Sequence, residues 1–79
     1  MKTQILELLN AKYAEAYGSA ITESTPLLSS GLVDSVAALD LVDELEQRFG
    51  FEFEPHEVEE GNLDSADRIE AYVKSKKGG

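Results

Sequence analysis

The chain has 79 residues, 42% of them hydrophobic, no cysteine, and a net charge of −9. A length of this order predicts one small domain, residues 1–79, held by apolar packing rather than by disulfides or thiolate-bound metal. The 16 acidic against seven basic residues argue against binding to a nucleic-acid backbone. No apolar run approaches the roughly 18 residues of a membrane span, and the acidic, helical N-terminus is unlike a targeting peptide. We therefore expect a cytoplasmic protein with no membrane segment. Its acidity suits basic protein partners, or serves only solubility.

The first predicted helix covers about residues 2–17. Its apolar stripe recurs at steps of three and four residues, which is the spacing of one helix face. Gly18 follows as a natural stop. The members of the stripe are Ile5, Leu8, Leu9, Tyr13 and Ala16, with the stem of Lys12 lying along it.

A long connection, residues 18–34, follows and is rich in Ser, Thr, Gly and Pro. Its length is unusual in a compact domain and indicates a packed or functional loop rather than a plain turn. Four apolar residues are expected to anchor it to the core: Ile21, Leu27, Leu28 and Leu32.

The second predicted helix covers about residues 35–49, and Gly50 is its expected C-cap. At about 100° per residue, one sector of this helix is apolar and faces the core. It contains Ala38, Leu41, Val42, Leu45 and Phe49. The opposite face is acidic but opens with a valine, and it contains Val36, Asp40, Asp43 and Gln47, with Glu44 at its edge.

The remaining sequence predicts an extended linker, a short helix and a last long helix. The segment FEFEP, 51–55, alternates like a strand but is too short for a stable sheet, so we expect it to insert Phe51 or Phe53 into the core. Pro55 predicts a short helix over about 55–60. Asp64 and Ser65 are an N-cap signal for a helix over about 64–76. The fold class is therefore all-α, with three long helices, one short helix and a long loop between the first two.

The chain is short of the parts that a catalyst needs. Its one histidine, His56, lies in the predicted short helix, far in sequence from any candidate nucleophile. The acidic runs are typical of solvated helix faces rather than of metal sites, and no glycine-rich phosphate loop is present. We expect neither an enzyme nor a metal protein.

Ser35 stands at the predicted start of the second helix, and two interpretations apply to it. Asp34 or Ser35 could simply be the N-cap, which satisfies free backbone amides. A hydroxyl at a helix start is also well placed to carry a phosphodiester, because the free amides and the helix dipole favour an anion.

The run TPLLSSGLVDSVAALDLVDELEQRFGFEFEP resembles the central segment of the acyl carrier and peptidyl carrier proteins. In that family a helical bundle presents a serine within a Gly-x-x-Asp-Ser-hydrophobic motif, which here is residues 31–36. The segment EPHEVEEGNLDSADRIEAYV is similar to the family as well, so the resemblance extends over about residues 3–75. It implies a four-helix, acyl-carrier-like bundle.

The resemblance also implies a function for these residues. A phosphopantetheinyl transferase would attach 4′-phosphopantetheine from coenzyme A to Ser35, and Asp34 would support this modification. Val36, Asp40, Asp43 and Glu44 would form a docking surface for the transferase, for a loading ligase and for downstream biosynthetic enzymes. The protein would be a monomer that carries its cargo as a thioester and catalyses nothing itself.

Departures from the family pattern bear on the type of carrier. Val36 stands where leucine or methionine is commoner, and Ala37 and Ala38 stand where fatty-acid carriers often have an acidic residue. These departures point away from a fatty-acid carrier, whereas the net charge of −9 leans toward one. We expect a stand-alone acyl carrier of a specialised pathway, polyketide, nonribosomal peptide or related. The segment NLDSADRIEAYV is similar to peptidyl and D-alanyl carriers, so an aminoacyl carrier is the alternative.

Two more distant alternatives come from other classes of protein. The terminal Gly78-Gly79 is a feature of ubiquitin-like sulfur carriers, although those domains are built on a sheet. The other alternative is an acidic helical adaptor that binds a partner without being modified.

Overall fold

The computed structural model describes residues 1–76, and within them the chain is helical with no strand. The elements are α1 (Lys2–Tyr17), α2 (Ser35–Phe49), a 3₁₀ turn (Pro55–Glu57), α3 (Glu60–Leu63) and α4 (Ala66–Lys76). The all-α fold class is therefore confirmed. Residues 77–79, with the terminal Gly78-Gly79, lie outside the described residues. No helix of the described part is long and apolar enough to cross a membrane.

The core is built from the apolar faces of the long helices and from residues of the loop between α1 and α2. Its fully buried members include Ile5, Leu9, Leu27, Leu41, Leu45, Leu63, Ile69 and Val73. The predicted stripe of α1 is too long, because Lys12 and Ala16 are exposed. Residues 15–17 are exposed throughout, so the last turn of α1 extends past the core. The Lys12 ammonium stays in water, 5.9 Å from the centre of the Tyr13 ring.

The loop between α1 and α2 is packed along its length. Ile21, Leu27 and Val33 are buried, while Leu28 and Leu32 are partly buried against the core. The Asn10 side chain on α1 holds the start of the loop: its Oδ1 accepts from the Ile21 amide at 2.8 Å and its Nδ2 donates to the Ile21 carbonyl at 3.1 Å. Of the buried anchors, Val33 is the one that the sequence pattern did not indicate.

The short helix predicted over 55–60 is wrong in its bounds, because two short elements replace it. Glu54 and Glu57 form a capping box around the 3₁₀ turn that Pro55 begins. Val58 then leaves the helical region, with φ −82° and ψ 83°, and packs partly buried against the core. The chain restarts a helix only at Glu60. The single helix that the local sequence predicts is therefore interrupted at Val58, where the side chain packs against the core.

The last helix begins at Ala66 rather than at residue 64. Ser65 is its cap, since its hydroxyl accepts a hydrogen bond from the Arg68 amide at 3.2 Å. Asp64 is not available for that task because its carboxylate binds the loop before α2.

The segment from Phe51 to Glu54 has no regular secondary structure and forms no strand. Phe51 and Phe53 are both partly buried, with ring centres 6.1 and 4.6 Å from that of Tyr72 on α4. The Phe53 amide donates to Glu46 Oε2 at 2.8 Å, which ties the linker back to α2. Both phenylalanines, rather than one of them, pack against the core.

Candidate functional site

The chain turns sharply just before α2. Gly31 has φ +83°, a conformation that side chains rarely adopt, and its amide donates to the Leu28 carbonyl at 3.0 Å. A Cβ at Gly31 would meet no atom within 4 Å, so backbone conformation and not crowding requires the glycine. Two residues later Val33 is buried, and its amide donates to the Leu27 carbonyl at 3.0 Å. The turn thus delivers residues 34 and 35 to the surface in a defined orientation.

Asp64, between α3 and α4, binds this turn although it lies more than 30 residues later in the sequence. Its carboxylate accepts from the amide of Ser29 at 2.8 Å, from the hydroxyl of Ser29 at 2.8 Å and from the amide of Leu27 at 3.2 Å. Burial alone would raise the pKa of Asp64, but these hydrogen bonds outweigh it and hold the pKa below its usual value. The carboxylate is therefore ionised and ties α3 and α4 to the loop.

Asp34 is the N-cap of α2. Its backbone is extended, with φ −85°, and its Oδ1 accepts from the Ala37 amide at 2.8 Å, while its carbonyl accepts from the Ala38 amide. Ser35 is the first residue of the helix proper. Asp34 therefore performs the capping task that could have fallen to either residue.

The Ser35 hydroxyl is exposed and makes no hydrogen bond with any described residue. The amides of Ser35 and Val36 likewise have no acceptor among residues 1–76, as is usual in the first turn of a helix. An exposed hydroxyl beside free amides at the positive end of a helix dipole suits a covalently attached anion such as a phosphodiester.

The face of α2 that follows Ser35 is apolar at its start and acidic beyond. Val36 is 74% exposed and Leu39 is 58% exposed. Asp40 and Asp43 are exposed, and Glu44 is half-buried at the edge. Leu39 is absent from the sequence-based assignment, although on a wheel it lies only about 60° from Val36, so the helical period could have found it.

The other polar clusters do not meet at Ser35. His56 is 76% exposed, and its Nε2 lies 3.6 Å from Glu54 Oε2. Glu54, His56 and Glu57 have ligand-type atoms within 4.8 Å of one another, but Glu57 Oε1 already accepts from the Glu54 amide, the Tyr72 hydroxyl and the Lys76 ammonium. Exposed groups of this kind are ordinary on an acidic surface and do not by themselves indicate a metal site.

A shallow groove lies at the opposite end of α2 from Ser35. It is lined by Glu46, Gln47, Gly50, Phe51 and Glu52. Glu46 lies eleven positions after Ser35 along the helix, a distance of about 16 Å at 1.5 Å per residue. The groove therefore plays no part in the arrangement around Ser35.

Comparison with known protein families gives a match over most of the chain. The model of the family described as "Phosphopantetheine attachment site" matches residues 4–73. The matched span includes the turn at Gly31, the cap at Asp34 and all of α2. A search of the curated proteins returned no significant match.

Proposed function

The chain belongs to the phosphopantetheine-attachment family, and on that premise we propose that Ser35 is its attachment site. Domains of this family carry a covalently bound 4′-phosphopantetheine, act as carriers rather than as catalysts, and interact with a phosphopantetheinyl transferase and with biosynthetic enzymes. The assignment to Ser35 is supported most directly by its hydroxyl, which is exposed and free of hydrogen bonds with the described residues.

The residues around Ser35 fit the prosthetic group. The free amides of Ser35 and Val36, with the helix dipole, would stabilise the phosphodiester. Asp34 keeps the first turn closed through its bond to the Ala37 amide, so its carboxylate can both cap the helix and support the transferase. When bound, the group supplies a terminal thiol that holds cargo as a thioester. The protein supplies a fixed point of attachment and a surface on which partners dock.

We assign the docking surface to Val36, Leu39, Asp40, Asp43 and Glu44, which include the four residues proposed from the sequence. Two exposed apolar side chains beside carboxylates suit a partner with a small apolar contact ringed by lysine or arginine. Such encounters are fast and weaken with salt. A carrier that visits several enzymes in turn needs docking of this kind.

The cargo that we propose is an acyl group, with an aminoacyl group as the alternative. The pathway that we propose is a specialised one, such as polyketide or nonribosomal peptide synthesis or a related route. A cytoplasmic location and a monomeric state remain predictions. The family match supports a modified carrier over an unmodified acidic adaptor. A sulfur carrier would be built on a sheet, whereas residues 1–76 contain no strand.

The attachment site is tested by substitution of the serine. Incubated with coenzyme A and a broad-specificity phosphopantetheinyl transferase, the wild-type protein should gain one phosphopantetheine, measured by intact mass. Ser35→Ala should gain none and should unfold at nearly the wild-type temperature, because the hydroxyl makes no hydrogen bond with the described residues. The control Ser75→Ala removes another exposed hydroxyl and should be modified normally. A modified Ser35→Ala variant, or an unmodified wild type, would contradict the assignment.

The docking surface is tested by a charge placed on its apolar start. Val36→Asp should reduce the rate of transfer from the cognate loading enzyme by about tenfold or more, the equivalent of roughly 1.4 kcal/mol, because an apolar contact is lost and a carboxylate is added. The melting temperature should not change, since Val36 is 74% exposed. Ala71→Asp introduces the same charge at an exposed position of α4 and should leave transfer intact. Equal rates in the two variants would remove Val36 from the interface.

A further inference from the structure

The shallow groove at the C-terminal end of α2 has a volume of about 360 Å³. Two carboxylates, one side-chain amide, one aromatic residue and a glycine line it, from Glu46, Glu52, Gln47, Phe51 and Gly50. Carboxylates attract a cation, and an aromatic ring offers a flat apolar surface. The lining therefore suits a ligand that is positively charged and has a flat face of its own.

Neither carboxylate of the groove is neutralised by a cation of the described chain. Glu46 Oε2 accepts from the Phe53 amide at 2.8 Å, and Glu46 Oε1 has no hydrogen bond with any of residues 1–76. Glu52 is exposed and makes no hydrogen bond within the same residues. The ion pairs among residues 1–76 include neither of the two. The groove thus holds two negative charges that are open to an outside cation.

The end of α2 adds to the negative potential of the groove. Gly50, with φ +68°, ends the helix there, and the C-terminal end of a helix dipole carries a partial negative charge. The last turn of α2 has a cation of its own, Arg48, but this residue is not part of the lining. On a helical wheel Arg48 lies about 160° from Glu46, on the other side of the helix.

The aromatic residue of the groove is held in place by its neighbours. Phe51 is partly buried, and its ring centre lies 5.1 Å from that of Phe53 and 6.1 Å from that of Tyr72. An arginine guanidinium is planar, stacks on aromatic rings and has five donors for carboxylate and amide oxygens, whereas the ammonium of lysine is a compact charge with no flat face. The combination of a fixed aromatic residue with two carboxylates therefore favours arginine.

The groove is continuous with the proposed docking surface. At about 100° per residue, Gln47 lies within about 40° of Val36 and Asp43 around α2. Along the helix, Glu46 lies about 16 Å from Ser35. One protein that docks beside Ser35 can therefore reach the groove as well.

We propose that the groove binds one arginine side chain of an enzyme that acts on the group carried by Ser35. The proposal rests on the proposed function and adds a second, distant point of contact to it. A contact at Val36 alone would leave the enzyme free to rotate about the start of α2. A second contact 16 Å away fixes its orientation along the helix.

A first test measures recognition of the side chain by NMR. The ¹⁵N-labelled protein is titrated with N-acetylarginine methylamide, with the corresponding lysine derivative, and with the citrulline derivative, which is neutral but has nearly the same shape as arginine. The arginine derivative should shift the amide resonances of residues 46–52 more than the other two do, and more than it shifts those of α4. Equal shifts from any two of the three, or no shift at the groove, would overturn the proposal.

A second test measures docking of the cognate loading enzyme. Glu52→Gln should raise the KM of that enzyme for the carrier roughly two- to fivefold, as expected for loss of one exposed ion pair, without lowering kcat. The difference should shrink as salt is added. The matched control Glu15→Gln removes an exposed carboxylate on α1 and should leave KM unchanged. An unchanged KM in Glu52→Gln, or an equal rise in the control, would overturn the proposal.

Modification of Ser35 is measured separately by intact mass, so the two proposals fail in different ways. If the wild-type protein gains no phosphopantetheine, the proposed function fails together with this inference. If it is modified and Glu52→Gln keeps the wild-type KM, only the arginine site at the end of α2 fails.

Discussion

At the scale of single residues, Asp34 and Ser35 stand side by side at the start of α2 with different roles. Asp34 closes the first turn through the Ala37 amide, whereas the Ser35 hydroxyl makes no hydrogen bond with any described residue. Gly31 makes the arrangement possible, because its positive φ turns the chain just before the cap. A side chain with a structural task is thus placed next to one that is free for chemistry.

Two substitutions of Asp34 distinguish its role as the N-cap of α2 from the role of its negative charge in the modification of Ser35. Asp34→Ala loses the cap and should be less stable by about 0.5–2 kcal/mol in urea denaturation. Asp34→Asn keeps an oxygen for the Ala37 amide and should remain close to wild type in stability. If the carboxylate supports modification, Asp34→Asn should nevertheless be modified more slowly by the transferase, as followed by intact mass. A wild-type rate in Asp34→Asn would restrict Asp34 to its capping role.

At the scale of elements, the position of α2 depends on the loop before it, and the loop depends on Asp64. The contacts of the Asp64 carboxylate span 35 residues to Ser29 and 37 residues to Leu27. They connect the junction of α3 and α4 to the turn that presents Ser35. The site therefore belongs to the bundle as a whole and not to one helix.

Removal of the Asp64 carboxylate should loosen this turn. In Asp64→Ala the Ser29 amide loses its acceptor, while the Leu27 amide keeps the Asp64 carbonyl at 2.7 Å. We expect a loss of about 1–2 kcal/mol in stability and faster hydrogen exchange at Ser29 and Val33 than in the rest of the core. The control Glu7→Ala removes an exposed carboxylate on α1 and should leave exchange in the loop unchanged. Uniform exchange in Asp64→Ala would mean that the loop is held by its apolar anchors alone.

At the scale of the whole molecule, a few polar clusters bind the ends of the chain to its middle. The Lys2 ammonium pairs with Asp67 and lies 3.3 Å from Glu23, which links α1, the loop and α4. At the other end of α4, Glu57 accepts from the Tyr72 hydroxyl and from the Lys76 ammonium. The chain has a net charge of −9, and repulsion among its acidic groups disfavours the compact state. These local ion pairs oppose that repulsion.

The lowered pKa of Glu57 predicts how the stability of the fold depends on pH in the acid range. The hydrogen bond from Tyr72 is the main cause that lowers its pKa from 4.5 to about 2. Because the folded pKa is lower than the unfolded one, the contribution of Glu57 is complete above about pH 4.5 and is lost as the pH falls toward 2. Melting curves of wild type and Glu57→Gln should therefore differ most above pH 4.5 and converge near pH 2.

The variant Tyr72→Phe is the matched control for this effect. It removes the donor and keeps the carboxylate, so the acid limb of its stability curve should move to higher pH than in wild type. If the melting temperatures of wild type and Glu57→Gln instead differ by the same amount at every pH, the ionised Glu57 carboxylate does not contribute to the stability of the fold.

The sequence by itself determined the three long helices, the apolar face of α2 and the position of Ser35 at a helix start. These features depend on periodicity, caps and glycines within a few residues, so local physics is sufficient to predict them. Tertiary structure decided what depends on packing. It broke the short helix at Val58, assigned Asp64 to the loop rather than to a cap, and buried the Tyr13 hydroxyl without a hydrogen bond to any of residues 1–76. Contacts between residues far apart in sequence follow from how the helices meet, and no local pattern records them.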